Sequence, residues 1–314
     1  MPSVMTLTLA ENFRAIFYTP FYLLKALGMA EQAGLELRWL PPGSPGGAID
    51  AIKNGTVDLT WGGPMRVMKD HDTTPSNGQS LLCFGEVVSR DPFFLLGKKN
   101  LGRFELAQLR QLRLVQVSEV PTPWLCLQAD LRDLGLNVSE IEEALTRGLS
   151  MSEQIQALKA GTVDVAQLFE PLASELLTDP AYQILYAAHT RGPTVYTTLI
   201  CSRDGWKKNH AAFTALRDIL GELQTWMHTQ TPAKITSHVQ SFFPELSAQQ
   251  LESALARYLH HDVWAQSPEM SKAGFDRLSY SLQSGGFIRT QIDFASCITP
   301  LDTQHISPFT ESCI

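Results

Sequence analysis

The chain has 314 residues, 44% hydrophobic and 18% charged, a balance that suits a globular protein long enough for two α/β lobes. Its 32 acidic and 25 basic residues leave a net charge of −7 in no long run of either sign, which argues against a broad nucleic-acid surface. Five cysteines, Cys83, Cys126, Cys201, Cys297 and Cys313, are odd in number and lack close pairing, so they read as buried thiols rather than a disulfide framework or zinc set.

Met1 to Leu9 has no basic start, apolar block and small-residue cleavage site, so the chain is expected to be cytoplasmic or already processed. No stretch reaches the roughly 18 apolar residues that span a bilayer, and no direct membrane insertion is expected. Thr6 to Ala10 reads as a strand, and Asn12 to Thr19 as a loop. Pro20 opens a helix that stops near Gly28. A second strand, Glu36 to Leu40, leads through a Pro- and Gly-rich loop to a helix at Ala48 to Lys53, with Gly55 as its stop. Val57 to Trp61 is a third strand. This alternation predicts a parallel sheet covered by helices.

The pattern recurs. Leu112 to Val117 reads as a strand, Trp124 to Leu134 as a helix, Glu142 to Arg147 as a strand, Glu153 to Lys159 as a helix and Val163 to Phe169 as a strand. Ala51 to Asp58 and Ala157 to Asp164 share one pattern: helix end, Gly stop, then Val-Asp opening a strand. Two β-prone segments that begin with Pro, Asp91 to Gly97 and Gly192 to Ile200, read as hinge crossings. The expected lobes are 1–92 with 195–314, and 93–194. Ala211 to Met227 and Ser247 to Leu259 have helical periodicity, the second opened by a capping-box pattern at Ser247. Thr303 to Ile314 reads as a polar, loosely held end.

Thr19 to Leu37, Lys53 to Asp58, Ala157 to Pro171 and Gly285 to Ile288 together resemble the nitrate/sulfonate/taurine-type solute-binding proteins. The resemblance covers roughly residues 5 to 297. It implies an α/β chain of the type II periplasmic-binding-protein fold, two lobes joined by a hinge of two crossing strands. It also implies a periplasmic location and an ABC-type permease as partner. Val117-Ser118-Glu119, Arg147 to Met151 and Glu170 are most similar to the branch that holds the thiamine-pyrimidine precursor synthases. Those synthases have a lysine and a histidine after the third strand, where this chain reads Gly62 and Arg66. They also have a cysteine cluster at the second crossing, where this chain has only Cys201. The departures argue against that chemistry, and no cofactor is expected.

Ligands in such folds bind at loops beyond the carboxyl ends of strands. That rule selects Asn12, Phe13, Arg14 and Tyr18 in the first loop, Ser44 and Gly46 before the second helix, and Trp61, Gly62 and Arg66 after the third strand. From the second lobe it selects Glu119, Trp124, Ser150 and Glu170, with Arg191 and Tyr196 at the second crossing. Arg14, Arg66 and the helix starts suit a small anion. Trp61, Trp124, Glu119 and Glu170 suit a planar nitrogen heterocycle. His71, His189 and the His260-His261 pair lack metal-ligand spacing. The chain is expected to bind one small organic ligand between its lobes as part of an importer. The alternative is a cytoplasmic enzyme acting on a heterocyclic or sulfur-containing molecule, with Cys126 or Cys201 as nucleophile.

Overall fold

The computed structural model describes residues 5–41, 43 and 46–299. Its strands are β1 (Met5–Ala10), β2 (Leu35–Leu40), β3 (Leu59–Gly62), β4 (Leu81–Val88), β5 (Phe94–Lys98), β6 (Leu114–Val115), β7 (Val165–Leu168), β8 (Tyr182–Ala187) and β9 (Thr197–Ser202). The helices before the first crossing are α1 (Thr19–Ala26), α2 (Met29–Gln32), α3 (Ile49–Lys53) and α4 (Met65–Thr73). Between the crossings lie α5 (Thr122–Asp133), α6 (Val138–Glu142), α7 (Met151–Ala160) and α8 (Leu172–Leu176). After them come α9 (Arg203–Lys208), α10 (His210–Thr229), α11 (Pro232–Val239), α12 (Ala248–His260), α13 (Lys272–Ser284) and α14 (Phe294–Cys297).

The strands form a five-stranded sheet of order β2-β1-β3-β9-β4 and a four-stranded sheet of order β6-β7-β5-β8. The chain passes between the sheets from Val88 to Phe94 and again from Ala187 to Thr197. The sheets are mixed rather than wholly parallel. β1, β2 and β3 run together, as do β6 and β7, while β9 and β5, the strands that follow the crossings, run antiparallel to their neighbours. Glu142 to Arg147 is not a strand. Asn137 caps α6 through the Ser139 N–H, and the chain beyond contributes only an isolated bridge between Thr146 and Val115. The Thr303 to Ile314 reading lies outside the described residues.

The repeated Ala51–Asp58 and Ala157–Asp164 patterns build the same local network. Thr56 Oγ1 and Thr162 Oγ1 each donate back to the carbonyl five residues earlier, at 3.2 and 3.0 Å. Asp58 then accepts the Thr8 N–H at 2.8 Å while donating its own N–H to the Thr8 carbonyl at 3.0 Å. Asp164 does the same with Arg113, at 2.9 and 2.8 Å. Each Asp thereby pins an incoming strand to its parallel neighbour, and a register slip would strand a carboxylate.

One apolar cluster runs through both sheets, from Leu7, Leu9 and Trp61 to Ala166 and Leu168. Aromatic rings carry it across the hinge: Phe17 and Phe93 lie 5.2 and 5.0 Å from Phe169, centroid to centroid, and Phe93 lies 6.0 Å from Tyr196. Arg191 fixes the polar side of the hinge. It reaches Asp91 of the first crossing and Asp130 of α5, its Nε lying 3.1 Å from both Asp130 oxygens. Burial works against the Arg191 charge, but Asp91, Cys126 and Asp130 outweigh it and hold the guanidinium well above its ordinary range. Replacing Arg191 with Met leaves the Asp91 carboxylate buried without its cation, so urea unfolding should show a loss of about 3–5 kcal/mol. A loss under about 1 kcal/mol would show that the cluster does not tie the hinge.

Glu86, in the middle of β4, is 2% exposed. One oxygen accepts the Ser271 N–H at 2.8 Å at the start of α13, and the other has no partner among the described residues. Burial pushes its carboxyl up to about 7, from an ordinary value of 4.5. Between those values the folded chain holds a proton that the unfolded chain has released, so this contribution to stability is lost as pH rises. Glu86→Gln keeps an acceptor and cannot titrate. Its stability relative to the native chain should grow by about 1–3 kcal/mol between pH 4.5 and 8, read from denaturation midpoints; a pH-independent difference would place Glu86 in the ordinary carboxylate range.

Candidate functional site

A crevice of about 380 Å³, counting its space open to solvent, lies between the sheets. The loop after β1 gives it Asn12, Phe13, Phe17 and Tyr18, and the loop after β3 gives Gly63, Met65 and Arg66. The crossings add Phe93, Tyr196 and Thr197, and the segment after β6 adds Val120 and Thr122. Three of these segments follow the carboxyl ends of parallel strands, as the topological rule requires.

Asn12 organises the near wall. Its Oδ1 accepts the Gly46 N–H at 3.1 Å, and its Nδ2 donates to the Tyr18 hydroxyl at 3.3 Å. Phe13 meets Tyr18 edge-on at 5.2 Å. Gly46 has φ +78°, and a Cβ there would fall 2.1 Å from Arg66 Nη1, so the guanidinium lies directly on the Gly46 backbone. Burial lowers the pKa of Arg66, with nearby Tyr18 opposing, but an arginine stays charged. Among the described residues no carboxylate lies within ion-pair distance of it. Among the described residues of the crevice lining none is acidic.

Two helices begin at the crevice. Neither α4 nor α5 has a side-chain N-cap, so free N–H groups and the positive ends of both dipoles add to the Arg66 field. The helix starts touch: Thr122 Oγ1 donates to Met65 Sδ at 2.7 Å. Tyr196 adds a buried hydroxyl with no partner among the described residues.

Residues 16–219 match the family model described as NMT1/THI5 like. The chain belongs to that family. It is also similar to YtlA of Bacillus subtilis (strain 168), at 20% identity over 310 residues, which is 91% of this chain and 85% of YtlA. Among solved structures it is similar to the periplasmic aliphatic sulphonate binding protein SsuA from Escherichia coli, with a TM-score of 0.75, 16% identity and coverage of 94% and 98% of the two chains. The desulfurization enzyme DSZB gives a TM-score of 0.65 at 13% identity, covering 93% and 96%. At these identities the likeness establishes the fold, that of the periplasmic binding proteins.

Within this NMT1/THI5-like chain, several residues selected from the sequence serve elsewhere. Trp61 is fully buried and stacks on Phe21 at 4.0 Å, so its faces are occupied by core. Gly62 sits behind the Asn12 amide. Arg14 is bound by Glu11 at 3.2 Å and by the Phe242 carbonyl, and lies over the Tyr22 ring. Glu119 is exposed and accepts the Ser118 N–H. Trp124 packs into the core of the second lobe. Ser150 caps α7 in a box with Glu153. Glu170 is fully buried between Arg257, at 2.7 Å, and the Ser174 N–H. Arg191 is spent on Asp91 and Asp130. Ser44 lies outside the described residues.

Phe17, Met65, Phe93, Val120, Thr122 and Thr197 line the crevice without having been expected there. For Thr122 a signal existed: the Pro121-Thr122-Pro123 run marks a helix start two residues earlier than the Trp124 expected. His189 and His261 stack at 4.0 Å beside the hinge, and His71 bonds the Leu81 carbonyl at 2.9 Å. Among the described residues no group of three or more His, Cys, Asp or Glu is placed to hold a metal ion.

Cys126 and Cys201 are fully buried, and none of the described cysteines lines the crevice. Burial pushes all four described thiols up, Cys126 and Cys297 to about 12. A Cys313→Ser variant at pH 8 should therefore react with Ellman's reagent only after unfolding, releasing four equivalents. Rapid reaction of one thiol in the native state would restore a candidate nucleophile.

Proposed function

We propose that the chain is a solute-binding protein that closes its lobes, 1–92 with 195–314 and 93–194, around one small organic oxyanion and presents it to an ABC-type importer. The observation that carries this reading is Arg66. It is a half-buried cation without a carboxylate partner among the described residues, set in a crevice lined by aromatic and apolar side chains with two uncapped helix starts. Such a wall suits a carboxylate, sulfonate or phosphate head on an apolar body. A location outside the membrane that carries the importer goes with this reading, and among the described residues no helix is long and apolar enough to cross a membrane. SsuA is a sulphonate binding protein, which is consistent with an oxyanion here.

The heterocycle reading loses its support, because Glu119, Glu170, Trp61 and Trp124 do not line the crevice. The enzyme reading has a precedent on this fold in DSZB but finds no thiol in the crevice. Calorimetric titration with short aliphatic and aromatic sulfonates, carboxylates and phosphates should find at least one ligand at one site per chain. Arg66→Gln should weaken it about ten- to a hundredfold, the worth of one or two charge-assisted hydrogen bonds. Equal affinity in the variant, or selective binding of neutral heterocycles, would overturn the oxyanion reading.

A further inference from the structure

Behind Arg66 lies a second depression that the crevice does not include. It is a groove of about 690 Å³, counting its space open to solvent, between α3, α4 and Phe287. Met65 and Arg66 line both spaces, so the Arg66 side chain is shared between them. Among the described residues of the groove lining, Lys53, Arg66 and Lys69 face Asp70 as the one carboxylate, in a chain whose net charge is −7. Asp70 is fully engaged: one oxygen takes Lys53, the other the Leu81 N–H at 2.9 Å. Lys69 gives one hydrogen bond to the Phe287 carbonyl, at 2.6 Å, and lies 3.9 Å from an Asp72 oxygen that Arg289 already binds. An ammonium has three donors, so Lys69 keeps capacity for a ligand. Ile49, Leu81 and Phe287 give the same groove apolar walls.

Arg66 and Lys69 stand three residues apart on α4, hence on one face, with their Cβ atoms roughly 5–6 Å apart. Thr73 follows on the same stripe and also lines the groove. Two cations on one rail, one shared by the crevice and one beyond it, match a molecule with two oxyanion groups rather than one.

We infer that the groove is a second oxyanion subsite continuous with the crevice, so that the preferred ligand is a short dianion bridging Arg66 and Lys69. This rests on the oxyanion reading of the crevice. The probes are α,ω-alkanedisulfonates from two to eight carbons, each titrated calorimetrically against the alkanemonosulfonate of the same length; dicarboxylate and diphosphonate series of equal lengths identify which oxyanion is favoured. The native chain should prefer the dianion by about tenfold or more, with an optimum at one chain length, as two localised charge-assisted contacts require. Lys69→Gln should bring that preference to within about threefold and leave monosulfonate affinity unchanged. Lys208→Gln, an equal charge loss at an exposed site on α9, should preserve it.

A preference that lacks an optimum length, survives Lys69→Gln, or falls equally with Lys208→Gln would overturn the subsite. So would equal affinity for mono- and dianions. In all four cases monosulfonate binding sensitive to Arg66→Gln would leave the oxyanion crevice standing. Binding of neither series would sink both readings.

Discussion

The buried contact of Arg191 with Asp91 and Asp130 is the constraint on which the arrangement depends. Asp91 belongs to the first crossing, Arg191 to the second, and Asp130 lies on α5, whose first turn reaches the crevice. One guanidinium therefore fixes both hinge strands relative to the helix that brings Thr122 opposite Met65. Buried ion clusters of this kind add little net stability over apolar packing, but they penalise every arrangement that separates the partners. The aromatic rings of Phe17, Phe93 and Phe169 pack edge-on across the hinge beside the cluster. Helix α13 completes the frame. It is anchored at its start by Glu86 and packs along α5, with Tyr280 bonded to Asp133 at 3.0 Å.

The alternation of strand and helix was readable because it is written locally. The Val-Asp pattern at 57–58 and 163–164 carries its own register device, and the Ser247 box caps α12 as its spacing requires. β4 left less of a signal, since Leu81–Val88 is buried on both faces and shows no alternation. Strand direction was not legible either, because the reversal of β5 and β9 follows from where the crossings deliver the chain. In the site, the topological rule found Asn12, Phe13, Tyr18, Arg66 and Tyr196 from loop position alone. It failed where a distant partner decides the side chain. Glu170 meets Arg257, Arg14 meets Phe242, and Arg191 meets Asp91, each across a large gap in sequence. Nothing within a few residues of Glu170 announces that an arginine on α12 will claim it.

These pairings, one local and the others long-range, sort the candidate charges. Glu11 neutralises Arg14, Arg257 occupies Glu170, and Asp91 with Asp130 occupies Arg191. Arg66 remains as the sole charged residue among the described residues of the crevice lining. A neutral ring would leave that cation desolvated with nothing opposite, whereas an oxyanion converts the same burial into charge-assisted contact. The anion and heterocycle readings looked equally supported in the sequence, and what separates them is which charges the fold has already spent.

Under the proposed closure around an oxyanion, the same cation would set the balance. Bringing α5 toward α4 removes water from Arg66 and from two uncapped helix starts at once. Without an anion, each of these groups loses solvation and gains little, so closure of an empty crevice is opposed by electrostatics even while the apolar walls favour it. An anion reverses the sign of that term and leaves the apolar term unchanged. A ligand shifts an equilibrium only by its differential affinity for the two states, and here that difference is concentrated on one guanidinium. Gly46 makes the arrangement possible: with φ +78° and no side chain, it lets Arg66 lie flat against the backbone, where the cation is shared between crevice and groove instead of extending into solvent.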